Sequence, residues 1–337
     1  MCAGSPLDWT TMAAACVGTG LCAGSASTFN QVLEKDRDAT MKRTKTRPLP
    51  LGKVSQSEAV AFGVSTGVLG TGLLFSATNP LVAALGAANI FLYAGPYTLS
   101  KPVSEINTWI GSVVGAIPPV MGWLAAGGAL LAPEPAVLGS ILFLWQFPHF
   151  FALSWMHRED YARGGFQMVA VNDPTGSRSA NLIMKYSLYL SAVPLVASAT
   201  GLTSVMFAVS GSAANAYLLH LANRFRQDKS NANARRIFLC SLWYLPLLLG
   251  GFVFFSRNWQ QQQQQQIEDE QHLLLQTQQS QSSEGEDEDE DGQQQQQQGM
   301  HHHHQKQLQE DHLGATVRKA KEVRNVRPSG SKGKSRK

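Results

Sequence analysis

The sequence predicts an all-α, polytopic transmembrane bundle followed by a low-complexity tail, and three observations carry that reading. Residues 1–259 are rich in Gly, Ala and Leu and hold only 11 of the 24 acidic residues; the other 13 fall in 260–337. Eight apolar stretches in this body approach the ~20 residues that cross a bilayer. The loops between them also segregate by charge. A soluble helical protein with a large core is the alternative, but its helices would carry a polar stripe, and these mostly do not. The mean hydropathy of −0.12 averages two unlike polymers.

The spans are expected at about 9–29, 57–77, 80–99, 107–127, 135–157, 181–200, 204–222 and 236–256. The fourth is interrupted by "GAIPPVMGW" (Gly115–Trp123), where Pro118-Pro119 is expected to kink the helix and shape a cavity. Gly and Pro of this kind are commoner in membrane helices than in soluble ones. Domain 1–259 is therefore read as the membrane body. Segment 260–337, with its Gln runs, the acidic block Glu284–Gly292, His301–His304 and a basic end, cannot bury a core and is expected to be disordered. Its His run reads as low complexity without a role. Cys2, Cys16, Cys22 and Cys240 have neither metal-ligand spacing nor a secreted framework and are expected to be small core residues.

With eight spans, loops 30–56, 100–106, 158–180 and 223–235 share one membrane face. They hold basic residues from Lys35 to Arg235, whereas loops 78–79, 128–134 and 201–203 hold no Lys or Arg. This is a positive-inside pattern, which one missed helix would scramble. Nine carboxylates follow the same division: Glu34, Asp36, Asp38, Glu58, Glu105, Glu159, Asp160, Asp173 and Asp228. Topology does not ask for acids there, so the chemistry is expected on this face.

"FNQVLEKDRDATMKRTKTRPLP" (Phe29–Pro50) is the densest part of it. Asn30, Glu34 and Asp38 stand four residues apart and share one helical face. Three oxygen-bearing side chains at that spacing suit a hard divalent cation such as Mg²⁺. Lys42, Arg43, Lys45 and Arg47 follow, where they could hold phosphate oxygens. The same spacing equally describes an ordinary charged helix end with local ion pairs. A second stretch, "WMHREDYARGGFQMV" (Trp155–Val169), sets Arg158, Asp160 and Arg163 at a helix end on the same face. The helix dipole accounts for the Arg and Gly there but disfavours Asp160.

Two acid-bearing helix ends on one face of a membrane bundle resemble the UbiA-type intramembrane prenyltransferases. The blocks "NQVLEKDRDATMKRTKTRPLP", "YTLSKPVSEINTWIGSVVGAIPPVMGW" and "WQFPHFFALSWMHREDYARGGFQM" are similar to those of the haem-farnesylating branch, the haem O synthases. The resemblance runs from Asn30 to Met168, more weakly to about Trp259, and does not reach the tail. It implies Mg²⁺ as cofactor, held by Asn30, Glu34, Asp38 and Asp160, which are also the catalytic set. It implies farnesyl diphosphate and haem B as substrates, with Arg43, Arg47, Lys101, Asn107, His149, Arg158 and Arg163 in substrate binding. His157 is a weaker candidate for haem contact. The lipid bilayer and haem A synthase are the further partners implied; no nucleic acid is expected. The generic superfamily has a second Asp at the position of Gly164. An acceptor of the quinone or chlorophyll type within the same superfamily, a transporter, and an inactive truncated homologue used as an assembly scaffold are the competing readings.

The chain departs from the nine-span pattern of the superfamily. Its first span aligns with the family's second, so Met1 is expected to be an internal methionine of a longer protein. The Gln-rich tail points to a eukaryote and hence to the mitochondrial inner membrane, with a bacterial plasma membrane as the alternative.

Overall fold

The computed structural model describes residues 8–257, with 261, 264, 265, 267–277, 300 and 306 beyond them. The chain divides into two units, Met1–Gln264 and Gln265–Lys337. In the first, ten α-helices follow in order. They are α1 (Trp9–Thr40), α2 (Gln56–Ala77), α3 (Pro80–Leu92), α4 (Thr98–Ser100), α5 (Asn107–Ala125), α6 (Pro133–Met156), α7 (Arg158–Arg163), α8 (Ser177–Ala199), α9 (Val205–Gln227) and α10 (Asn231–Phe254). A π-helical turn, Tyr93–Tyr97, joins α3 to α4. Among the described residues, counting α3 to α4 as one helix, eight are long and apolar enough to cross a membrane, as the sequence predicts. In the second unit 267–277 is helical and exposed throughout. The rest of the tail expected to be disordered, including His301–His304, lies outside the described residues.

Helix ends explain where the expected boundaries fell short. α1 has 32 residues, ~48 Å at 1.5 Å each, against a hydrocarbon core of ~30 Å. Apolarity marks only its first part, and the charged turns up to Thr40 continue the same helix beyond the bilayer. α2 opens with a capping box, the Ser55 hydroxyl accepting from the Glu58 N–H while Glu58 accepts from the Ser55 N–H. Asn79 caps α3, with Pro80 in its first turn.

Two groups of four long helices make the bundle: α1, α2, α3 and α5 in one, α6, α8, α9 and α10 in the other, with α5 packed on α6 between them. α1 and α2 approach through small residues, since a Cβ on Gly70 would stand 2.9 Å from the Gly18 carbonyl oxygen. The second group holds the larger core, built around Phe147, Phe151, Phe207, Tyr244 and Phe252. Large side chains such as Phe62, Leu69, Phe91, Leu239 and Leu242 are exposed, as lipid contact requires. Cys22 and Cys240 are buried, as expected; Cys16 is exposed. Cys2 lies outside the described residues.

The loops predicted to share a face do meet. The Lys42 and Arg43 N–H groups bond to Asp160, Gln167 N–H bonds to Lys101 O, Arg178 pairs with Glu105, and Arg158 bonds to Asn231. At the other rim the short connections are tied by uncharged groups, for example Asn79 Nδ2 donating to Leu124 O at 3.0 Å and Ser204 N to Phe255 O at 2.9 Å.

Candidate functional site

The buried face of α1 repeats every three to four residues: Ala14, Gly18, Cys22, Ser25, Ala26, Asn30, Glu34, Asp38. Small residues let α1 approach its neighbours within the bilayer, and at the rim the same stripe turns polar. Asn30, Glu34 and Asp38 are all nine-tenths or more buried. Buried carboxylates need partners, and each residue of the stripe has one.

Asn30 Nδ2 donates to Thr98 Oγ1 at 2.9 Å. The Thr98 hydroxyl spends its own proton on Tyr93 O, 2.7 Å away, so towards Asn30 it can only accept. That fixes the amide and turns Asn30 Oδ1, the metal-ligating type of atom, away from Thr98. Lys101 Nζ lies 2.9 Å from Glu34 Oε1 but off the line of a hydrogen bond, so this buried oxygen has a cationic neighbour and no hydrogen-bond donor. Lys101 also sits over the Tyr97 ring, 4.5 Å from its centroid. Arg47 Nη1 takes Asp38 Oδ2 at 2.6 Å, and the Thr44 hydroxyl holds Asp38 O at 3.0 Å, curling the chain after α1 back over its end.

Thr98 and the turn that presents it were not among the sequence candidates. The signal was Pro96 within an apolar run: lacking an N–H, it leaves the helical ladder open, and the π turn Tyr93–Tyr97 results. Extra residues of this kind re-aim side chains and recur at functional sites. Here the turn sends Thr98 and Lys101 to α1.

Asp160 reaches the same rim with different partners. Its two oxygens accept the Lys42 N–H at 2.7 Å and the Arg43 N–H at 3.0 Å, and the Arg163 guanidinium closes on it. Burial alone would raise the carboxyl pKa; the Arg43 and Lys42 N–H groups and Arg163 outweigh it and hold the group below its ordinary value. Around this latch, Arg37 Nη1 donates to Gly164 O at 2.9 Å and the Thr40 hydroxyl to Arg163 O at 3.2 Å. The two acid-bearing helix ends therefore do meet, but through the backbone of the turn after α1. Gly165, at φ +67°, supplies the left-handed residue that ends α7. A Cβ on Gly164 would stand 2.9 Å from Met41 Sδ, so no second Asp fits there while Met41 keeps its place.

The remaining candidates divide. Asn107 is buried with its amide donating to Ser104 O at 2.6 Å and Gln167 O at 2.8 Å, so both protons tie loops together. His149 sits between α6 and α10, its Nδ1 2.8 Å from Ser241 Oγ and its ring stacked on Trp145. Arg43 stands over Tyr161, with Nη2 3.2 Å from the phenol oxygen. Arg158 is stacked on Trp155, 4.5 Å from the ring centroid, and bonds to Trp155 O and Asn231 Oδ1. Burial and the nearby Arg43 push His157 below its ordinary pKa, with Asp160 opposing.

Among the described residues no three His, Cys, Asp or Glu side chains converge to enclose a metal. The α1 set is two carboxylates and an amide oxygen on one face, hard donors, with Lys101 paired to the Glu34 oxygen that no hydrogen bond reaches. This fits Mg²⁺, which takes one or two carboxylates and completes its shell with water and phosphate. Elsewhere in the bundle an apolar cavity of about 450 Å³ between α3, α5 and α6 is lined by Leu85, Val113, Ile117, Val120 and Phe143.

An all-α membrane bundle with buried acids, Lys and Arg gathered at one rim is the class that the fold and the site define. A model of the UbiA prenyltransferase family matches residues 1–245, and the chain belongs to that family. It is 46% identical over 244 residues to the human protein named protoheme IX farnesyltransferase, mitochondrial, covering 72% of this chain and 54% of that protein. The Arabidopsis thaliana protein of the same name is 41% identical over 236 residues, covering 70% of this chain and 54% of that protein. The chain thus spans about half the length of the curated relatives it matches. Among solved structures, a UbiA homologue from Aeropyrum pernix superposes with a TM-score of 0.58 at 17% identity, covering 75% of this chain and 92% of that one. A UbiA homologue from Archaeoglobus fulgidus, solved with DMAPP and Mg²⁺, gives 0.54 at 13% identity, covering 73% and 88%. At such identities these two bear on the fold alone.

Proposed function

We propose that this chain transfers the farnesyl group of farnesyl diphosphate to a vinyl group of haem B, making haem O in the mitochondrial inner membrane. The observation that carries the transferase reading is the α1 stripe Asn30, Glu34, Asp38 with Lys101 and Arg47 already seated on it. The acceptor and the compartment rest on the names of the relatives. The product would pass to haem A synthase.

Asn30, Glu34 and Asp38 would hold Mg²⁺, which when bound supplies charge neutralisation to the diphosphate. Lys101 and Arg47 are poised to exchange their carboxylate partners for phosphate oxygens, and Arg43 follows them along the turn. Stabilising negative charge as it develops on the departing diphosphate favours cleavage of the allylic C–O bond. Apolar surroundings within the bilayer then keep the prenyl chain from water. The haem vinyl group attacks the allylic carbon, and water captures the resulting cation with loss of a proton, leaving a hydroxyethylfarnesyl group. His149, on α6, is assigned to haem contact. Asp160 is assigned to the rim through the turn it holds, and Asn107 to the loops rather than to substrate.

The test is complementation of a haem-O-deficient strain, followed by assay of membranes with haem B and farnesyl diphosphate against 4-hydroxybenzoate and polyprenyl diphosphate. Haem O formation that stops with EDTA and returns with Mg²⁺ is expected. Prenylation of the benzoate alone would replace the acceptor.

A further inference from the structure

A polar cavity of about 380 Å³ opens on the charged rim where the turn after α1, the α6–α7 corner and the start of α10 come together. Lys42, Arg43, Arg158 and Arg163 line it, with His157 and Asn231, against the carboxylates of Glu159 and Asp160. None of the α1 stripe, Arg47 or Lys101 borders it; Arg43 alone, which follows them along the turn, is shared with the diphosphate site.

Its cations are held for a ligand rather than for each other. Arg158 has two carboxylate-bearing residues just beyond it in the chain, yet its guanidinium bonds only to neutral oxygens, Trp155 O and Asn231 Oδ1, and lies on the Trp155 ring. It is fixed in place with its charge uncompensated. Lys42 is exposed and makes no ion pair among the described residues. Arg43 bonds to a phenol, Tyr161. Only Arg163 is neutralised, by Asp160. Burial, and after it the Arg43 charge, lower the His157 pKa, with Asp160 opposing.

The cavity also has a direction. Met156, which lines it, stands seven residues above His149, almost two full turns and ~10 Å on the same face of α6. Around His149 the Trp145 and Phe238 rings each lie 4.8 Å from the imidazole centroid, and Phe238 and Ser241 of α10 pack on this face. Cations without carboxylate partners at the rim suit a molecule that presents anionic groups at one edge.

We propose that this pocket receives the two carboxylates of the tetrapyrrole acceptor. The proposal rests on the haem B reading above and adds where and by which groups the acceptor is oriented. Fixing the carboxylates at the rim chooses which edge of the macrocycle points away from them.

The experiment measures binding of haem B and of its dimethyl ester, which lacks the charges, to the full chain in phosphatidylcholine nanodiscs by Soret titration. Haem B is expected to bind more tightly than the ester. Arg158→Gln and Lys42→Gln should each weaken haem B by about five- to tenfold and leave the ester unchanged, with Arg158→Lys restoring much of the affinity. Should Arg158→Gln fail to fold, Lys42→Gln carries the test, because that side chain is exposed. Equal binding of diacid and ester, or equal losses for both in the variants, overturns the pocket while the haem reading stands. Binding of neither overturns the acceptor reading and the pocket with it. A diacid preference that vanishes when cardiolipin is added marks a lipid-phosphate site and likewise overturns the proposal.

Discussion

Asp160→Ala separates a carboxylate that holds the chain from one that holds a metal. The substitution removes both acceptors of the Lys42 and Arg43 N–H groups and the partner of Arg163. A hydrogen bond to a charged group contributes ~1.5–3 kcal/mol, but Lys42 and Arg43 are exposed, and water recovers part of that once the turn opens. A net loss of ~2–3 kcal/mol corresponds to roughly 30- to 150-fold more frequent opening of the turn. Limited trypsin digestion of the detergent-solubilised protein reads this directly, because Lys42, Arg43, Lys45 and Arg47 all lie in the turn. Mass spectrometry should show cleavage between 42 and 47 accelerated by about that factor, with Asp160→Asn between the two. Lost haem O formation with an unchanged cleavage rate would refute the latch and return Asp160 to the metal.

Other consequences are checked more simply. Asp38→Ala should leave the protein inserted while lowering haem O formation by roughly 10²–10³-fold, since Arg47 loses its anchor and the stripe loses a carboxylate; near-normal turnover would remove the assignment. Gly164→Asp, which restores the generic second acid, should destabilise by ~1–3 kcal/mol through overpacking on Met41, read as a lower melting temperature with no gain in Mg²⁺ affinity. The Asp160 carboxyl is held below its ordinary value of ~3.9, so its contribution is complete above that pH and is lost as pH falls through the lower folded value. Hydrogen-exchange protection of the Lys42 and Arg43 amides should therefore be flat from pH 8 to about 5, with losses only below about 4. Loss of protection near pH 6 would implicate His157 instead.

The spans and the sidedness were legible because bilayer thickness and loop charge act on composition alone, which a single sequence displays. The α1 stripe was legible for a similar reason: Asn30, Glu34 and Asp38 are close in sequence, and helix period sets their common face. What could not be read were partners that depend on tertiary placement. Lys101 and Asn107 both match family positions, yet one turns to Glu34 and the other to the carbonyls of Ser104 and Gln167. Asp160 was expected at the metal because it matches the acid of the family's second motif. The N–H groups it captures belong to every residue, and so give no sequence signal. Thr98 was hidden because its position depends on the π turn at Pro96, a change of register rather than of residue type.

The central claim is that the α1 stripe, with its basic partners, is where a divalent metal and the prenyl diphosphate are held together. Mn²⁺ electron paramagnetic resonance on the full chain, with a thiolo analogue of farnesyl diphosphate, tests it most directly. Tight Mn²⁺ binding that appears with the analogue and disappears in Glu34→Gln and Asp38→Asn, but survives in Asp160→Asn, is the predicted result. Binding unaffected by both α1 substitutions would contradict the account.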